Sequence, residues 1–233
     1  MLILWCNMAF TTFKKWIGLL AILALPGIIY FYVTKVENHF MPLATIGVEG
    51  HVIPAFSFVN QHSDTISNAN YEGNIYVANF FFTSCPKICP NMINKMKYVQ
   101  EKLSVYPNIK FLSHTVDPEN DSPEKLLEYA ISMQADLTNW NFVTGEKQEI
   151  YTIAASYLVS AGKEDENIPG GFFHSEKFIL IDKEGKVRSG IDINGNPYGN
   201  YNSRNDADIK TLIKDIRVLM AEYKQKENQN ENQ

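Results

Sequence analysis

The 233-residue chain has no cluster of basic residues in its globular part, and its 21 lysines and arginines are outnumbered by 26 aspartates and glutamates, for a formal net charge of −5. Without a basic patch there is no electrostatic footprint for nucleic acid. There is no internal repeat, and the length suits one ordinary domain with extensions. A composition of 45% hydrophobic and 20% charged residues is a normal globular balance, enough for one sizeable core. Cysteine is scarce, with three in the whole chain. Charge is missing altogether from Trp16 to Val33, and apolar residues are missing from Lys224 to Gln233.

The uncharged run "WIGLLAILALPGIIYFYV" predicts one transmembrane helix over 16–33. At about 1.5 Å per residue it measures roughly 27 Å, just enough for the hydrocarbon core. Lys14 and Lys15 precede it, while Lys35 and Glu37 follow in closer balance, so the positive-inside rule puts residues 1–15 in the cytoplasm. The expected placement is therefore a single-pass protein of the inner (cytoplasmic) membrane with its globular domain on the periplasmic or extracytoplasmic side. A cleaved signal peptide is the rival reading. No small-x-small pair follows Val33, and the run is long for a signal peptide, which favours an uncleaved anchor. Residues 34–50, with Pro42, Gly47 and Gly50, read as a tether. Residues 51–223 read as the domain, and "KQKENQNENQ" (224–233) as a disordered tail.

Cys6 falls before the span, across the membrane from Cys85 and Cys89, and a start at Met8 would remove it. One exported dithiol remains. In an oxidising compartment it must be a disulfide, a metal site or an actively reduced pair.

Within the domain, strand and helix patterns alternate. "NIYVANFFFTS" (74–84) is a near-continuous apolar run, as a strand buried on both faces requires. From Pro90, Met92, Ile93, Met96, Val99 and Leu103 form a helical stripe. "IKFLSHTV" (109–116) reads as a strand, and "SPEKLLEYAISMQ" (122–134) as a helix with Ser122 as N-cap and Pro123 at its first position. "NFVTG" reads as a short strand, followed by a helix over about 146–158. "EKFILID" and "VRSGIDI" flank the turn "KEGK" as a hairpin, and a last helix covers about 207–223. This order describes an α/β thioredoxin-like sandwich with a central mixed sheet. Its cysteine turn lies at the carboxyl end of the first long central strand, where sites of such sheets gather.

A cysteine at a helix start feels unpaired N–H groups and the positive end of the helix dipole, which favour thiolate. The spacing of Cys85 and Cys89 puts two sulfurs on one side of a turn, able to close a disulfide or share an ion. Three intervening residues, "PKI", give a wider bite than the two of thioredoxin-type reductases, which favours metal. A disulfide, or a buried pair without chemistry, stays open. Among the five histidines, His39 lies in the tether, and His51 and His62 read as solvated. His114 reads as a hydrogen-bonded structural residue within a strand. His174, after the flexible "IPGG" and just before a core strand, is the candidate third ligand. Two thiolates and an imidazole suit copper, Cu(I) or Cu(II). Zinc with three protein ligands is unusual for a structural site. Met92 and Met96 have the spacing of core packing.

With these residues in view, the chain resembles the Sco/SenC family of membrane-anchored, thioredoxin-like copper proteins. The resemblance is carried by "IPAFSFVNQ", "FFFTSCPKICPNM", "TVDPENDSPEKL" and "HSEKFILIDKEGKV", which span about residues 50 to 190. It implies that Cys85, Cys89 and His174 bind one copper ion per chain. It also implies a metallochaperone that helps assemble the dinuclear copper site of cytochrome c oxidase. The partners would be the oxidase's copper-bearing subunit and a copper donor protein. The action would be copper transfer or reduction of the target cysteines, with Cys85 and Cys89 as a redox-active dithiol. Two positions depart from the family: Phe173 stands where Asp often precedes the histidine, and Asn120 where Arg is usual. Asp117 and Asp121 remain, either as supports or docking residues for the site or as capping groups of a strand-to-helix turn. A membrane-anchored thiol–disulfide oxidoreductase is the alternative. It is weakened because its usual cis-proline is replaced, Pro169 lying five residues before His174. A tethered sensor has only the anchor and the dithiol in its favour.

Overall fold

The computed structural model describes residue 22 and residues 24–30, 42–158 and 176–231. The chain divides into two compact units, Met1–Met41 and Pro42–Gln233. In the first, residues 22 and 24–30 are helical and exposed. The rest of the span expected at 16–33 lies outside the described residues, and among those described no helix is long and apolar enough to cross a membrane.

The second unit is built on a mixed sheet. Its strands are β1 (Ala44–Thr45), β2 (Ser57–Asn60), β3 (Thr65–Ser67), β4 (Ile75–Phe81), β5 (Ile109–Thr115), β6 (Trp140–Thr144), β7 (Lys177–Ile181), β8 (Val187–Ser189) and β9 (Tyr201–Asn202). They lie in the order β1-β8-β7-β4-β5-β6-β2-β3, with β9 against β7. The β4–β5 and β5–β6 pairs are parallel, and the others are antiparallel. Parallel neighbours need crossovers. These are supplied by α1 (Ile88–Lys102) between β4 and β5, and by α2 (Pro123–Ser132) between β5 and β6. Helices α3 (Lys147–Ser156) and α4 (Asp206–Glu231) complete the unit.

All seven residues of β4 are buried, which explains a sequence that is apolar but for Asn79. Each large side chain so enclosed contributes about 1.5–3 kcal/mol. Successive residues face opposite ways. Accordingly Phe81 stacks on Tyr129 of α2, while Phe80 meets Tyr157, just after α3, edge-on. Met92 and Met96 are fully buried in the core, as expected of a helix stripe. The turn between β7 and β8 is closed by Asp182, whose Oδ1 accepts the N–H groups of Glu184 and Lys186. Gly185 supplies the left-handed φ of +76° that this turn requires.

Two expectations change, and one feature is new. The tether ends before residue 50, because Ala44–Thr45 pairs with β8 and Leu43 is buried. The Leu43 N–H donates to Glu222 at 2.6 Å, and Arg188 donates to the Leu43 carbonyl at 2.9 Å. These contacts fasten a segment whose sequence has no sustained period. The tail is helical as far as Glu231. Its Glu, Lys and Gln residues are strong helix formers without Gly or Pro, and Lys183 bonds to Glu227 at 3.1 Å. The β2–β3 hairpin was not anticipated. Its turn is held by Asn60, whose side-chain oxygen accepts the N–H groups of His62 and Asp64, and Ser63 takes a φ of +65°.

Candidate functional site

Between the end of β4 and the start of α1 the chain turns through Phe82–Lys87. The Cys85 N–H donates to the Phe82 carbonyl at 3.3 Å. Helix α1 begins two residues earlier than its sequence stripe indicates, so Cys89 lies within its first turn. Lys87 at the N-cap makes no side-chain capping bond. The Cys89 N–H donates instead to Cys85 Sγ at 3.3 Å. A sulfur thus takes one of the amides that a helix start leaves unpaired. Both cysteines are free and buried, at 5% and 2% exposure. This bond ties the Cys89 backbone to the Cys85 sulfur across the turn.

The thiolate expected at the helix start is not favoured at Cys89. Burial pushes its thiol up, outweighing the Phe82 backbone bond that acts the other way. Such a sulfur ionises only when something replaces the lost water, and a bound cation does so directly. Tyr129 lies nearby. Burial raises its phenol, with Cys89 and Cys85 the next contributors, and its buried hydroxyl has no hydrogen-bond partner among the described residues.

Asp121 is the larger surprise. It is fully buried. Its Oδ2 accepts the Thr83 N–H at 3.0 Å and the Thr115 hydroxyl at 2.5 Å, and its Oδ1 accepts the Thr83 hydroxyl at 2.5 Å. Lys125 Nζ stands 3.7 Å away. Asp117 does different work, accepting both contacts of the Asn120 amide. Sequence reasoning left open what these carboxylates do. It missed Thr83 and Thr115, whose only signal was a hydroxyl beside the cysteine motif and another ending a strand.

The histidines divide. His174 lies outside the described residues, as does His39. His62 is exposed, as expected. His51 is half-buried, and its Nε2 lies 2.8 Å from the Ser156 carbonyl, so it is not simply solvated. His114 is structural but not hydrogen-bonded: it is fully buried, and among the described residues neither ring nitrogen has a partner. Among the described residues no group of three or more His, Cys, Asp or Glu side chains could hold a metal ion.

A dithiol at the carboxyl end of a central strand, leading into the helix of a mixed α/β sheet, defines a thioredoxin-like dithiol protein. The chain belongs to the SCO1/SenC family, whose pattern matches residues 46–203. It is 34% identical over 167 residues to the SCO1 protein homolog of Bacillus subtilis (strain 168), covering 71% of this chain and 81% of that protein. Among solved structures it is similar to BsSco, described as a Sco-family cytochrome c oxidase assembly protein with a disulfide switch. There the TM-score is 0.60 at 29% identity, over 73% of this chain and 93% of that one. Arabidopsis thaliana ScoI, solved with copper bound, aligns with a TM-score of 0.54 over 71% of this chain and 98% of that one. At 23% identity it shares the fold alone.

Proposed function

We propose that the protein is a copper-binding metallochaperone that assists assembly of the dinuclear copper site of cytochrome c oxidase. The observation that carries this reading is the pair of free, buried cysteines at the β4–α1 turn, joined by the Cys89 N–H to Cys85 Sγ bond. Two thiolates are soft donors that select Cu(I), and an added imidazole accommodates Cu(II). Cys85 and Cys89 would hold the ion, and His174 would complete a three-ligand site as the family resemblance implies. Copper is cargo here. It leaves by exchange of these ligands for the cysteines of the oxidase's copper-bearing subunit, after arrival from a donor protein. The uncharged run at 16–33 would tether the domain to the inner membrane on its extracytoplasmic side.

The placing of both cysteines in one short turn also favours a second role for the same pair. One cysteine attacks a disulfide of the target, and the other resolves the mixed disulfide, leaving the target reduced and ready to take copper. Both roles draw on Cys85 and Cys89, and the copper role adds His174.

The test is an anaerobic titration of the reduced full chain with Cu(I) and, separately, Cu(II), beside His174→Ala. One equivalent in each oxidation state, with Cu(II) binding lost in the variant, is expected. Unchanged Cu(II) affinity in His174→Ala would remove the histidine from the site, and absence of specific binding by the reduced wild type would remove the copper reading.

A further inference from the structure

The carboxylate of Asp121 holds two separate pieces of chain. Thr83 lies two residues beyond the end of β4 and two before Cys85. Thr115 is the last residue of β5, opposite Phe81 in the strand register. Asp121 binds the Thr83 N–H and hydroxyl and the Thr115 hydroxyl, with no exposure to solvent. A buried carboxylate is costly unless its oxygens are satisfied, and each of these takes at least one donor. An ordinary capping role would have left it at the surface. Its neighbour Ser122 already performs that role, accepting the Lys125 N–H at the start of α2.

We propose that Asp121 is a positioning residue for the dithiol: by fastening Thr83 to the end of β5 it fixes the start of the turn that carries Cys85, and so sets how readily the two sulfurs join. The inference rests on the reading of Cys85 and Cys89 as a redox-active pair. Closing a disulfide requires the sulfurs to meet in one narrow geometry. A turn anchored at its start presents Cys85 to Cys89 with little freedom left to lose, whereas a released turn must be ordered as the bond forms. Cys89, fixed within α1, does not need the clamp.

The experiment equilibrates the full chain with mixtures of glutathione and glutathione disulfide. Two protein S–H bonds and the glutathione S–S bond break, while one protein S–S bond and two glutathione S–H bonds form, so two electrons and two protons pass to glutathione. Trapping free thiols gives the equilibrium constant. Asp121→Ala should lower the constant for protein disulfide formation about tenfold, equivalent to about 30 mV for this two-electron couple. Asp121→Asn keeps an acceptor for the Thr83 N–H and should stay close to wild type. Thr83→Val removes one anchor while keeping the shape, and should shift the constant the same way by less. It carries the test if Asp121→Ala does not fold.

A folded Asp121→Ala, or failing that Thr83→Val, with the wild-type constant would overturn the proposal even if its unfolding midpoint fell. So would Asn matching Ala, since the effect would then be one of charge. A wild-type pair that stays reduced at every glutathione ratio would overturn the redox reading itself, a result distinct from an insensitive Asp121.

Discussion

The last two residues of β5 put the two faces of the sheet side by side. Thr115 turns towards the dithiol face, where its hydroxyl meets Asp121 and every oxygen of the cluster has a partner. His114 turns the other way, into rings: it stacks on Phe80 at 5.0 Å and meets Phe58 edge-on at 5.4 Å, with Phe56 and Tyr157 also in contact. Among the described residues neither of its nitrogens is bonded. One face uses buried polar groups to hold a functional turn. The other uses an imidazole as if it were a phenyl ring, at a cost of about 1–3 kcal/mol for each unmade bond. Adjacent positions on one strand thus divide chemistry from packing.

The largest test of this contrast is the response to acid. Burial lowers the His114 pKa from its ordinary 6.5 to about 3. Above pH 6.5 the ring is neutral in both folded and unfolded chains. Below that the unfolded chain binds a proton that the folded chain refuses, so stability falls with falling pH until about pH 3. The slope is about 1.4 kcal/mol per pH unit, or roughly 5 kcal/mol across the window. Unfolding measured by denaturant at several pH values should show this limb, and His114→Phe should flatten it. An equal slope in the variant would mean that other groups account for it. A smaller effect is expected on the opposite face. Thr115→Val leaves Asp121 one donor short and should cost about 1–3 kcal/mol, measured as a fall in the urea midpoint, with no change in that acid limb. A change in the limb would show that the two faces are coupled.

How much of this could be read in advance follows the same division. The apolar run of β4, the stripe of α1 and the Ser122-Pro123 start of α2 are local patterns, and they appear where the sequence puts them. The cysteine turn was legible for the same reason, since spacing and a following helix lie within a few residues. What escaped depends on distant partners. β1 exists because β8 offers it an edge, and the end of α4 is steadied by Lys183. The Asp121 clamp joins residues 38 and 6 positions away. His114 looked like a residue needing hydrogen bonds because its aromatic surroundings come from three separate segments. The thiolate expected from the helix start was overruled at Cys89 by burial, which only the packed structure reveals.

The central claim is that the reduced sulfurs of Cys85 and Cys89 are the copper site. Its most direct test compares copper bound at saturation by the full chain in two forms, one fully reduced and one with the Cys85–Cys89 disulfide closed. The account predicts one equivalent of Cu(I) for the reduced form and none for the disulfide form. Equal binding by both forms would place copper elsewhere and leave the dithiol to thiol exchange alone.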